Sequence, residues 1–232
     1  MNSAAQSKSG TEKGYFAVIG DLVNSKSISS RGDFQKYFSD LIERVNRSFV
    51  GCIASRFTIT TGDELQGLLH DASQLSHLMD TIITNLHPVK VRFGISYGHL
   101  NTSFNPHLSV GADGPVYWAA RQAIQYIHNN NDYGTSRIFV TLPDGTAPQL
   151  INSALAANGF MLDGWRDTQF AVLKGLIDSG LYSPEFEQIK LAEFMKLTPA
   201  SLQKRIKGSG VKIYLRNGAS ISQAINDLKK MA

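Results

Sequence analysis

The sequence predicts an α+β protein in which helices cover a mostly antiparallel sheet, followed by a small all-α tail. Three observations carry this reading. Strand-like and helix-like apolar periods alternate up to Trp165, strand signals then stop, and the charge balance changes near residue 180. Residues 1–179 hold 14 Lys/Arg against 15 Asp/Glu, whereas residues 180–232 hold 9 against 4. A near-neutral body with a basic tail points to two jobs, the second at a polyanion.

Residues 1–13 are polar and read as a disordered tail. Tyr15 to Gly20 is an apolar run suited to a buried strand, closed by Gly20-Asp21. Asp33 stands as an N-cap candidate before Phe34, Phe38, Leu41, Ile42 and Val45, which recur at helical spacing. Ile53–Thr61 and Leu65–His70 flank Gly62-Asp63-Glu64 and read as a hairpin with that turn at its tip. Ser73–Leu86 returns to helical spacing, and Val89–Tyr97 alternates as a strand with Val91, Phe93 and Ile95 on one face. A helix is expected over Gly114–His128, a strand over Ile138–Thr141, and a helix over Thr146–Asn158 stopped by Gly159.

The expected organisation is therefore a first domain over 14–165, a connecting helix over 166–180 and a helical domain over 181–232. No run approaches the roughly 18 apolar residues of a membrane helix, and the first residues carry no signal-peptide core. Cys52 is the single cysteine, which excludes an intramolecular disulfide and fits a reducing, cytoplasmic setting; it reads as a small core residue. The six histidines lack zinc-ligand spacing. Walker A, G-x-G-x-x-G and G-x-S-x-G patterns are absent.

The chemistry-bearing residues that remain are carboxylates at strand ends. Asp21 closes the first strand and Asp63 sits at the hairpin tip, each preceded by a glycine, Gly20 and Gly62. Two strand ends in one sheet would bring two hard oxygen ligands to one Mg²⁺ (or Mn²⁺), with phosphate oxygens and water completing its octahedron. Glycine beside such an aspartate allows close approach of a phosphate, and Lys26 stands within reach of one. The plainer assignments are ordinary turn chemistry for Asp21 and Glu64, a solvated loop lysine, and a surface ion pair for an exposed arginine. Tyr117 and Trp118 offer rings for a base, or a core face.

Four segments in order carry a resemblance. FAVIGDLVNS is similar to the first metal-ligand strand of class III nucleotidyl cyclases, and FTITTGDELQGLL to their Gly-Asp hairpin and that of diguanylate cyclases. VRFGISYGHL is similar to the following strand, and GPVYWAARQAI to the helix carrying a catalytic Asn and Arg. The resemblance implies a ferredoxin-like, palm-type core that pairs as a homodimer, with Asp21 and Asp63 as metal ligands. Arg121 then takes the place of the arginine that steadies charge on the transferring phosphate. Tyr117 stands where the asparagine is expected, Ile59 where the base-selecting side chain is expected, and Thr61 replaces the second hairpin glycine. These departures favour binding over turnover.

The whole chain after residue 14 resembles the SatD family, through IGDLVNSK, FTITTGDELQGLL and VGADGPVYWAAR followed by a helical tail. In that tail EQIKLAEFMK and TPASLQKRIK have helix-turn-helix spacing, with Thr198 as N-cap, Pro199 at the first helical position, and Leu202 and Ile206 inward. Ser201, Gln203, Lys204, Arg205 and Lys207 are left for base edges and phosphates of double-stranded DNA. A last helical pattern covers Ile221–Met231, and KRIKGSGVKIY resembles the recognition-helix end of SatD-like tails. The leading expectation is a homodimeric, nucleotide- and Mg²⁺-binding transcriptional regulator with a degenerate cyclase core. Its alternatives are an active metal-dependent cyclase or transferase, and a structural or partner-binding protein.

Overall fold

The structure is a computed structural model that describes residues 13–25, 30–60, 62–130, 134 and 136–230. The expectations for residues 1–12, Lys26, Thr61 and Met231 lie outside the described residues. Five strands form one sheet: β1 (Tyr15–Leu22), β2 (Ile53–Ile59), β3 (Glu64–Leu69), β4 (Val91–Gly98) and β5 (Ile138–Val140), in the order β2-β3-β1-β4-β5. The first four strands pair antiparallel around β1, with α1 (Arg31–Ser48) between β1 and β2, and α2 (Leu75–Leu86) between β3 and β4. That arrangement is the ferredoxin-like order. β5 joins β4 in parallel, which requires the crossover made by α3 (Pro115–Asn130).

β1 is buried on both faces, and strand alternation sorts its side chains. Phe16, Val18 and Leu22 enter the large core with α1 and α2, whereas Ala17 and Ile19 enter a smaller cluster with Val116, Tyr117 and Ala120 of α3. α3 lies so close to the sheet that a Cβ on Gly94 would stand 2.1 Å from the Ala120 carbonyl oxygen. A side chain at residue 94 would therefore force the helix off the sheet. Cys52 is buried as expected; its thiol donates to the Phe49 carbonyl, and burial pushes its pKa up to about 11.

Three boundaries differ from expectation. α1 begins at Arg31 after Ser30 in a left-handed conformation, so Asp33 lies in the first turn instead of at the N-cap. α4 (Gln149–Asp163) runs through Gly159, because its next turn buries Leu162, which outweighs the ~1 kcal/mol helix penalty of a glycine. The final helix begins ten residues early: α8 (Val211–Asn226) buries Val211, Tyr214, Leu215, Ile221 and Ile225, and a short 3₁₀ turn (Asp227–Lys230) follows. Gly218 interrupts the apolar pattern in sequence but lets α2 approach closely: a Cβ there would stand 3.3 Å from Ser76 Cβ, and the Ser76 hydroxyl donates to the Gly218 carbonyl at 2.8 Å.

Beyond Trp165 the elements among the described residues are helices: α5 (Asp167–Asp178), α6 (Gln188–Phe194), α7 (Pro199–Ser209) and α8. Leu191, Leu202, Ile206, Val211 and Ile225 belong to the same continuous core as Phe16 and Val18. Polar bonds reinforce this join. The Ser76 amide donates to Ser222 Oγ, the Ala72 amide to Asn226 Oδ1, and Lys229 pairs with Asp71 at 3.1 Å. At the centre, Asp80 of α2 accepts from the Tyr182 and Tyr214 hydroxyls, each at 2.6 Å. Burial raises the Asp80 carboxyl to about 6 against the lowering effect of these two bonds.

Removing one hydroxyl leaves part of a buried carboxyl without a partner, so Tyr214→Phe should cost about 1–3 kcal/mol. Circular dichroism and tryptophan fluorescence should show one shared unfolding transition, since the core is continuous. Because folding raises the Asp80 pKa, its contribution to stability is complete below about pH 4 and is lost as pH rises through about 6. Denaturation across that window should accordingly show a flatter pH dependence for Asp80→Asn than for wild type.

Candidate functional site

The site follows from the registers of β1. Asp21 stands opposite Glu64 on β3 and opposite Arg92 on β4. Directly cross-strand side chains lie on one face, so both neighbours share the α3 side with Asp21. The Leu22 amide donates to the Asp63 carbonyl at 3.0 Å, which holds the hairpin tip against the end of β1. Both aspartates singled out by the sequence therefore flank the same strand end, although their carboxylates make separate contacts.

Asp21 Oδ2 lies 3.2 Å from His128 Nε2 and 3.8 Å from an Arg92 nitrogen, and Arg92 also contacts the His128 ring at 2.8 Å. Asp21 Oδ1 is buried and has no partner among the described residues. Burial raises the Asp21 pKa; Arg92 and then His128 oppose that shift, and the Glu64 carboxylate adds to it. Beside it, Arg121 holds Glu64 in a two-point fork, Nη1 to Oε2 at 2.9 Å and Nη2 to Oε1 at 3.0 Å. That bond raises the Arg121 pKa. Thr60 Oγ1 donates to the same carboxylate at 3.2 Å.

Asp63 accepts the Ser25 hydroxyl on Oδ2 at 2.6 Å. Gly62 precedes it at φ 81°, a conformation costly for other residues, and its open side faces Arg31 and Gln35 at the start of α1. Gly20 serves a different end. Its missing Cβ would stand 2.9 Å from the Phe93 ring, so the glycine admits core packing on the α1–α2 side of the sheet. Tyr117 is buried and its hydroxyl has no partner among the described residues, whereas Trp118 is half exposed and bonded to Asp113.

Glu64, Arg92 and His128 are the members that sequence reasoning missed as functional. The signals were present: Arg92 interrupts an alternating strand on the face opposite Val91 and Phe93, and His128 lies two helical turns beyond Arg121. Among the described residues no group of three or more His, Cys, Asp or Glu side chains is placed to hold a metal ion by itself. Magnesium makes a smaller demand, one or two carboxylates with phosphate oxygens and water. The unpartnered Asp21 oxygen fits that demand, and the Arg92 and Arg121 forks suit phosphate oxygens.

In the tail, Thr198 caps α7 by accepting from the Ser201 amide, Pro199 opens the helix, and Gly210 closes it at φ 64°. Leu202 and Ile206 are buried, which leaves Gln203, Lys204 and Lys207 exposed and Ser201 and Arg205 partly covered. Lys229 and Lys230 are paired with Asp71 and Asp227, whereas Lys204 and Lys207 of α7, Lys196 before it and Arg216 of α8 are exposed.

A model of the SatD family matches residues 15–225. Among solved structures, a bacterial light-regulated adenylyl cyclase is similar at 14% identity and a TM-score of 0.39, over 55% of this chain and 43% of that one. This chain thus spans less than half of that protein. No curated protein matches. No helix among the described residues is long and apolar enough to cross a membrane.

The raised pKa of Asp21 means that its charged form is held against stability. Asp21→Asn should therefore leave the stability of the free protein at pH 7 unchanged or higher, measured by chemical denaturation. A loss well above the ~1 kcal/mol of an exposed ion pair would instead make Asp21 a structural anchor.

Proposed function

The chain belongs to the SatD family, and from that premise we propose that it is a nucleotide- and Mg²⁺-binding regulator that contacts double-stranded DNA through α7. The observation that carries the nucleotide half is the buried, unpartnered Asp21 oxygen beside two arginines. A buried carboxylate oxygen without a donor costs stability, and a cation ligand removes that cost. Asp21 and Asp63 are the residues that would hold Mg²⁺ or Mn²⁺; once bound, the ion screens the phosphate charge and fixes its oxygens.

The chain's own groups have separable parts in such a site. Asp21 must be ionised, so Arg92 and His128, which favour its charged form, prepare it for a cation. Glu64 keeps the Arg121 fork extended at the mouth of the site, and that arginine is then available to a phosphate by exchange of partners. Ser25 orients the Asp63 carboxylate. Tyr117 has its hydroxyl buried in the α3 core, so it supplies no sugar-positioning amide, which favours binding over cyclisation. Turnover is the second reading; Arg121 beside the carboxylates favours it, and pyrophosphate release from a nucleoside triphosphate tests it.

The DNA half rests on the exposed lysines and amide of α7, carried on a helix whose buried side is fixed. A homodimer would present two such helices to two half-sites. Nucleotide binding would then bias one dimer geometry, by about 1–3 kcal/mol in typical couplings. The tail packs on α2, which packs on α1, so a physical path from the Asp63 turn to α7 exists.

Thermal unfolding with a panel of nucleotides should show a Mg²⁺-dependent rise, about 2.7 kcal/mol at 100 times the dissociation constant. Asp63→Ala should abolish it while preserving the fold; an undiminished rise in that variant excludes the ligand role. For DNA, replacing Lys204 and Lys207 by Gln should lower the slope of log affinity against log salt by about 0.9 per lost phosphate contact. An unchanged slope would remove α7 from the interface.

A further inference from the structure

On the opposite side of the sheet end, away from α3, a cavity of about 140 Å³ opens between the starts of β4 and β5 and the joint from α4 to α5. Lys90 and Arg137 line its polar end, where both reach the single carboxylate of Asp163, Lys90 at 3.4 Å and Arg137 by a direct hydrogen bond. Two cations share one anion there. Arg137 Nε is buried and has no partner among the described residues. The opposite wall is aromatic: Phe170 stacks on the His87 ring at 4.0 Å between centroids, and Trp165 stands 6.5 Å from Phe170.

A tie that only joined α4 to the sheet would need one cation and no cavity. Here the second cation is left with half a partner, and a cavity of about 150 Å³ is large enough for a benzene-sized ring. Partial burial lowers the Lys90 pKa, and the neighbouring Arg137 lowers it further. An anion added at this point meets the two cations that share Asp163, and its apolar body meets the rings.

We infer that this cavity is a binding site for a small organic carboxylate with a compact, flat apolar body. The carboxylate pairs with Lys90 and Arg137, and the body lies against Trp165 and Phe170. The site is separate from the proposed nucleotide site and does not depend on it. Its wall is tied to the DNA-facing tail, because the Trp165 indole N–H donates to the Ser209 carbonyl at the end of α7 at 2.7 Å. An occupant therefore touches the ring that anchors that helix.

The chain has two tryptophans, so Trp118→Phe in the full chain leaves Trp165 as the sole indole reporter. Titration with benzoate should change Trp165 emission saturably, and benzamide, which has the same ring without the charge, should not. Lys90 is more than half exposed, so Lys90→Gln folds normally and should weaken benzoate at least tenfold, with Lys90→Arg restoring most of it. No saturable response, equal affinity in Lys90→Gln, an equal response to benzamide, or a response to inorganic phosphate alone would each overturn the assignment.

Discussion

The registers of β1 decide where everything else lies. As the central strand it pairs with β3 on one side and β4 on the other, and its interior residues are apolar on both faces. Burial on both faces fixes the register strongly, since a slip of one residue would send Phe16 and Val18 to the α3 side and Ala17 and Ile19 to the other. The first position free to be charged is the strand's end. There the same register sets Asp21 between Glu64 and Arg92, so charges brought together from three distant segments follow from hydrophobic packing several residues away.

Much of this was legible in the sequence, because it rests on local signals. The apolar run before Asp21, the hairpin around Gly62-Asp63 and the alternation of Val91, Phe93 and Ile95 each specify an element, and the sandwich follows from their order. What was not legible depended on long-range packing. Gly159 reads as a stop until Leu162 is seen to be buried, and α8 is hidden by Gly218 until Ser76 is seen to pack against it. Arg92 and His128 were overlooked for the same reason. Their importance comes from the residue they meet, and that pairing is a property of the sheet.

The tail illustrates a different physical point. Its composition differs from that of the body, yet its apolar side chains complete the body's core, and α8 is bonded to α2 through serine and tyrosine side chains and to Ala72 just before α2 through Asn226. Asp80 is the costly centre of that join, a buried carboxyl shared by two hydroxyls from separate parts of the tail. Apolar area alone would tolerate sliding of one helix over another, whereas two short bonds to one carboxyl permit a single arrangement. The basic face of α7 is thus carried on a mount that α2, α4, the α4–α5 joint and the loop after β3 all tie to the sheet.

The proposed function requires a divalent cation at the end of β1. Mn²⁺ added with a nucleoside triphosphate to isotopically labelled protein tests it most directly, through distance-dependent broadening of amide resonances. The account predicts that Gly20, Leu22, Ser25 and Glu64 broaden first, that residues of α7 stay sharp, and that the pattern vanishes in Asp21→Asn. Broadening centred elsewhere, or unchanged in that variant, would contradict it.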